Sequence, residues 1–355
     1  MFRLLMLLVI GTTPSFAAIE VDTFPVPQGA HPHDIAPQPG GGPVWYTAQH
    51  QGALGRLDPN TGETRHIPLG EGSRPHGVIV GPDAHAWITD SGLNAIVRVN
   101  SETLEVTSYA LPEDTGYANL NTAAFDGGGA LWFTGQAGIY GRLDPESGAM
   151  EVFEAPRGPG PYGIAATPEG DIYFASLAGS YVGRVDTRTG EAAVLEPPTP
   201  GQGARRVWSD AQGRIWVSEW LSGQLSRYDP ASGEWQSWML PGDAPQAYAV
   251  YVDFEDKVWV SDFGANAMLR FDPESEKFQV FPSSGDNAAV RQILDATVRS
   301  GPQSPAPTRW CGIVFDKRHA GRATRGGGCG NAPAPPASIR VLLLIDAIKT
   351  DMGRG

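Results

Sequence analysis

The chain is poor in cysteine, in charge and in long apolar runs. Of its 355 residues only two are cysteines, Cys311 and Cys329, and both lie near the C-terminal end. The body therefore carries no disulfide framework and depends on a hydrophobic core. Charged residues make up 18% of the chain and sum to −13, which leaves no basic face of the kind a nucleic-acid binder uses. The apolar run Leu4–Ile10 is too short to span a bilayer. Long helices and coiled coils are excluded by 45 Gly and 31 Pro, which interrupt helices and build turns. What is present is 41% hydrophobic residues, 33 of the 355 being Trp, Tyr or Phe, enough for a substantial core.

The first residues read as an export signal. Arg3 gives a positive start, Leu4–Ile10 an apolar segment, and Ser15-Phe16-Ala17 the small residues of a cleavage site after Ala17. Residues 1–17 are thus expected to be a signal peptide, and the mature protein to be periplasmic or secreted.

A strong internal repeat follows. An aromatic pair or near-pair and a small polar residue recur at Trp45-Tyr46-Thr47, Trp87-Ile88-Thr89, Trp132-Phe133-Thr134, Tyr173-Phe174-Ala175, Trp216-Val217-Ser218 and Trp259-Val260-Ser261. The spacings are 42, 45, 41, 43 and 43 residues. A second landmark, Asp58, Asn100, Asp144, Asp186, Asp229 and Asp272, keeps the same phase. Each unit reads as four short strands; in the second these are Gly77–Val80, Ala86–Thr89, Ala95–Val99 and Glu105–Ala110, separated by turn residues. Four-stranded units of about 43 residues repeated radially describe an all-β, seven-bladed β-propeller with antiparallel blades. Residues 18–294 are expected to form six full blades and the first strand of a seventh, Ala288–Leu294, so that the last blade is incomplete.

Several stretches resemble the streptogramin B lyase (virginiamycin B lyase) family of seven-bladed propellers. They are Pro161-Tyr162-Gly163-Ile164, Leu54-Gly55-Arg56-Leu57-Asp58, Gly141-Arg142-Leu143-Asp144 and Ser218-Glu219-Trp220. The resemblance covers about residues 25 to 294. It implies a ring-opening elimination on a cyclic depsipeptide ester, in which a His removes the proton α to the carbonyl and Mg²⁺ near carboxylates polarises it. In the family the base lies in Glu-Pro-His-Gly-Ile at the start of the last blade, with a supporting His opening the blade before. Here Ala289-Val290-Arg291-Gln292-Ile293 and Tyr248 stand at those places, and Arg is no base at neutral pH.

After Leu294 the repeat stops. Residues 295–355 contain no Glu and no Tyr and carry nine Lys or Arg against four Asp. Asp295–Gly301 can be encoded so that dropping two bases reads Arg-Asp-Gly-Glu-Val-Trp, the second-strand landmark of a seventh blade in the expected phase. We read 295–355 as an aberrant, frameshifted tail, disordered over much of its length. Gly321–Ser338 is of disordered composition, and Val341–Ile348 is apolar enough to pack as an edge strand or helix.

In an antiparallel meander the start of the first strand and the end of the second share one edge of the sheet, hence one face of the disc. The first set holds His33, His76, Asn121, Tyr162, Arg205 and Tyr248, with Arg291 at the matching point of blade seven. The second holds Gln49, His50, Asp90, Gln136, Ser176, Glu219 and Asp262. Together they are expected to line a bowl that takes a small-molecule or cyclic-peptide ligand. His33 and His76 fall in adjacent blades and are the candidate proton-moving pair; Asp34, Asp90, Glu219 and Asp262 are the candidate metal ligands. His66 and His85 read as surface residues of outer turns. A monomer is expected. Two functions remain open: the family's lyase chemistry, or a non-catalytic propeller that binds a ligand or protein.

Overall fold

The computed structural model describes residues 19–283, 288–295, 310–314 and 339–346. Seven four-stranded sheets follow one another, and six of them are uninterrupted antiparallel meanders. Blade two shows the pattern, with Pro75–Val80 innermost, then Ala86–Asp90, Ala95–Val99 and Val106–Ala110 outermost. These match the sequence expectation to within two residues.

The strands read as continuous apolar runs because both faces of each blade are buried against neighbouring blades. On the second strand of blade two, Ala86 and Ile88 pack with blade one residues such as Trp45 and Leu54. Trp87, between them, packs instead with Leu120 and Phe133 of blade three. A strand buried on two sides loses the apolar–polar alternation of a one-sided sheet.

The repeat landmarks have mechanical roles. Each Trp must place its indole N–H when buried. Trp87, Trp132, Trp216 and Trp259 donate to Asp83, Asp126, Asp210 and Asp253 in the turn just before, at 2.7–3.1 Å, while Trp45 uses Gln38. The small polar residue works at the opposite edge. Every inner strand from blade one to six breaks register near its second residue, a bulge that leaves an N–H unpaired in the ladder. The hydroxyl of Thr47, Thr89, Thr134, Ser218 or Ser261 accepts that N–H. It also donates to a carbonyl of the next blade: His76, Asn121, Tyr162, Tyr248 or Val290. Blade four has Ala175 at this position and can do neither.

The seventh sheet departs from this plan. Its inner strand is Ile293–Asp295, shorter than the expected Ala288–Leu294. Two strands of the tail follow, Trp310–Val314 and Ile339–Asp346, and the N-terminal strand Ile19–Val26 is outermost. The third position, Ile339–Asp346, runs parallel to both its neighbours. Residues 1–17 and 321–338 lie outside the described residues. Among the described residues no helix is long and apolar enough to cross a membrane.

Candidate functional site

The inner strands of blades one to six each begin with Pro or another small residue except Leu120, and carry a larger polar or aromatic group second: His33, His76, Asn121, Tyr162, Arg205 and Tyr248. The structure brings these side chains together at one end of the axis, as the repeat phase requires. It does not leave them lining an open bowl. His33 and His76 are each 7% exposed, Tyr162 5%, Tyr248 2% and Asn121 0%. A polar residue at a strand start looks solvated in the sequence; here convergence of the inner strands on one axis packs His33 on His76, His76 on Tyr162 and Tyr162 on Tyr248, with Arg205 half-buried beside the tyrosines.

The His33 and His76 rings meet at 3.9 Å between centroids. His33 Nδ1 lies 2.9 Å from Asp34 Oδ1, and His76 Nδ1 is 3.1 Å from the carbonyl of Asn121. Burial and then the charge of His33 hold His76 well below the usual histidine range, so its ring is neutral near pH 7. On the other side, the hydroxyls of Tyr162 and Tyr248 share a 2.7 Å hydrogen bond. Arg205 stacks between aromatic faces, its guanidinium carbon 3.9 Å from the Tyr248 ring centre and 4.3 Å from that of Trp220, and donates to the Tyr162 hydroxyl at 3.1 Å. Burial pushes the Tyr162 phenol up, but Arg205 and Arg206 outweigh it and the net shift is downward. Burial raises the Tyr248 phenol well above its ordinary value.

Asp34 is fully buried at the centre. Burial raises its pKa, against the opposing pull of Arg206, His76 and Arg291. Arg206 Nη2 lies 3.2 and 3.3 Å from its two oxygens, and the Gln292 amide donates to the same carboxylate. Desolvation alone would lower the Arg206 pKa; Asp34 outweighs it and keeps the guanidinium charged. Arg206 and Gln292 were not among the sequence candidates. A signal existed: the third inner-strand position is Gly77, Thr122, Gly163 or Ala249 elsewhere, yet Asp34 and Arg206 occupy it in blades one and five.

The blade-seven match shifts by one residue. Ser261 reaches the carbonyl of Val290, so Val290 stands where His33 and His76 stand in their blades. Arg291 takes the third position, alongside Asp34 and Arg206.

The second predicted set is spent locally. Asp90 Oδ1 accepts the backbone N–H groups of Arg74, Gly92 and Leu93, and Oδ2 the Ser73 hydroxyl. Asp262 accepts those of Gln246, Gly264 and Ala265. Glu219 is raised by burial, against the hydroxyls of Ser222 and Ser226 that bond it. Ser176 accepts the Gly179 N–H. Gln49, on a single 3₁₀ turn, and Gln136 are half-buried, while His50 is exposed and stacks on His31. His66 is not a plain surface residue, since its Nε2 pairs with the buried Tyr46 hydroxyl at 2.7 Å.

Of the four carboxylates proposed for a metal, only Asp34 joins His33 and His76 in a group whose ligand atoms lie within 4.8 Å of one another. This donor set does not fit the Mg²⁺ that the resemblance implies. Mg²⁺ prefers oxygen ligands and water, whereas two imidazoles suit softer ions, and the one carboxylate is already engaged by a guanidinium.

Toward the turns between first and second strands the axis widens into a cavity of about 580 Å³. The inner strands of six blades and residues 291–294 line it, so it opens on the face opposite the predicted bowl.

The structure is similar to that of a streptogramin B lyase, at 22% identity and TM-score 0.69, covering 76% of this chain and 88% of that one. It is also similar to catalytically inactive virginiamycin B lyase from Staphylococcus aureus with quinupristin, at 20% identity and TM-score 0.69, covering 75% and 89%. YCF48 bound to D1 peptide shares the fold at 15% identity and TM-score 0.61, covering 76% and 87%. No curated protein matches. The inner-strand motifs, the clasped blades and the ring they close meet in one finding: a model of the virginiamycin B lyase family matches residues 15–271, and the chain belongs to that family.

Proposed function

We propose that this chain is an exported member of the family that binds a small ligand and does not carry out the ring-opening elimination. One observation supports this most. The places that the resemblance assigns to the base and its supporting His hold Val290-Arg291 and Tyr248. Tyr248 is buried under Arg205 and bonded to Tyr162. An elimination needs a base within reach of the substrate's acidic proton, and a guanidinium is no such base. The propeller scaffold itself serves binders as well as enzymes, as YCF48 with its bound peptide illustrates.

A second reading is favoured by the His33–Asp34–His76 group. Asp34 orients the His33 ring through Nδ1, and a neutral His76 has the protonation state of a base. In that reading these two histidines in blades one and two do the family's work in place of blades six and seven.

Incubation of the purified protein with quinupristin, with and without Mg²⁺, followed by mass spectrometry, separates the two. The binder reading expects no ring-opened product under either condition. Turnover that disappears in His76→Ala would overturn it in favour of the second reading.

A further inference from the structure

We infer that the axial cavity on the face opposite the histidine cluster is a binding site for a small, largely aromatic molecule bearing one anionic group, such as an aryl carboxylate or sulfonate. The inference deepens the binder reading and rests on it.

The volume of about 580 Å³ falls in the range of small-molecule sites. Its walls come from the second halves of the inner strands, where the sequence turns apolar: Ile79 and Val80, Phe125, Val207, Tyr251 and Leu294. Trp208 also lines it and lies against Tyr251, ring centres 5.1 Å apart. Flat faces of this kind favour an aromatic guest.

The charged lining is one-sided. Among the described residues the cavity is lined by two guanidinium groups, Arg206 and Arg291, and by no Asp or Glu. Asp34, which pairs with Arg206, is not a lining residue. Arg206 is 7% exposed, and its Nε–H is buried without an acceptor. A buried donor left unmade is costly, and an anionic oxygen is the strongest acceptor that could be offered to it. Asp34 balances the charge of Arg206, so Arg291 supplies the net positive charge of this apolar well, and the two guanidinium groups together favour a guest that is mostly apolar with one anionic group.

Full-length protein titrated with 1-anilinonaphthalene-8-sulfonate and with its neutral analogue N-phenyl-1-naphthylamine tests this, read by probe emission and by quenching of tryptophan. One saturable site for the anionic probe is expected. Arg291→Gln should weaken the anionic probe at least about tenfold, the scale of a lost hydrogen bond to a charged group, and leave the neutral probe within about twofold. Ala166→Trp, which fills the cavity wall, should weaken both; Ala124→Trp serves if that variant does not fold. Anionic-probe affinity unchanged by Arg291→Gln, or by the cavity-filling variant, would overturn the inference, as would no saturable binding at all. Quinupristin turnover in the same preparation reports separately on the binder reading.

Discussion

Arg206 in blade five and Asp34 in blade one are 172 positions apart in the sequence and form a buried ion pair across the propeller axis, Nη2 to Oδ1 at 3.2 Å. Ring closure alone brings them together, and neither side chain has appreciable exposure. The pair is therefore a gauge of how well the ring is shut.

Breaking it from one side leaves an uncompensated buried charge. Asp34→Asn should cost about 3–5 kcal/mol in denaturant unfolding. Asp34→Leu with Arg206→Met, which removes both charges and roughly keeps the volume, should cost far less than either single change. A single-site loss below about 1 kcal/mol would mean that the two groups do not meet as described.

The histidine cluster makes stability depend on pH in a definite direction. His76 is held below its ordinary value of 6.5 by burial and then by His33. Once pH drops below that value, the unfolded chain binds a proton that the folded one refuses, so stability falls, by at most about 1.4 kcal/mol per pH unit. Asp34, raised by burial, acts oppositely: below its folded value the folded state takes up the extra proton and gains. Asp34, Arg206 and His33 face His76 and are all retained when it is replaced. Unfolding free energies from pH 7.5 to 5.5 should therefore slope less in His76→Asn than in the native protein. Equal slopes would show that His76 titrates normally in the fold.

Much of this architecture is legible in the sequence because the repeat is local. Trp87, Thr89 and Asn100 each perform their task within one blade or its next neighbour, so a 43-residue phase suffices to place them. The cluster was legible only as a set. That His33, His76, Tyr162 and Tyr248 share one end of the axis follows from phase; that they pack on one another, with Arg205 between aromatic rings, depends on the ring's small inner radius. Arg206 and Gln292 were missed because their partner, Asp34, lies at the other end of the ring in sequence. Arg291, expected at the matching point of blade seven, lies one residue past it, because the spacing from Tyr248 is 42 and not 43, which the Ser261–Val290 hydrogen bond reveals.

Blade four offers a gain-of-stability test. Its bulge N–H at Gly163 and the carbonyl of Arg205 in blade five have no counterpart to the clasping hydroxyl, because Ala175 carries none. The same register break is present there, so Ala175→Ser can restore both hydrogen bonds. A stabilisation of about 0.5–1.5 kcal/mol is expected, with a rise of a few degrees in the unfolding midpoint. Thr89→Val, which removes the hydroxyl from blade two, should destabilise by about 1–3 kcal/mol. Opposite signs in both variants would show that the hydroxyls do not clasp the blades.

The seventh sheet carries the last prediction. In a regular blade the second and fourth strands run parallel to each other and the third runs against both. Trp310–Val314 and Ile19–Val26 keep that relation, since each is parallel to the strand between them. Only Ile339–Asp346, in the third position, is reversed. The outer strand is thus correctly oriented to close the ring, and what blade seven lacks is a proper third strand between it and the second. We propose that the chain beyond Leu294 is read from a shifted frame and that the displaced frame encodes both a second strand and an antiparallel third strand in place of Trp310–Val314 and Ile339–Asp346. Nucleotide sequencing across codon 294 should show two bases beyond the ancestral frame, and a protein expressed from the restored frame should unfold at a higher temperature than the present chain. An edge left mispaired is a weak point of a closed ring, so repairing it should also reduce aggregation on heating. A restored chain no more stable than this one would mean that the reversed strand closes the propeller as well as an antiparallel one.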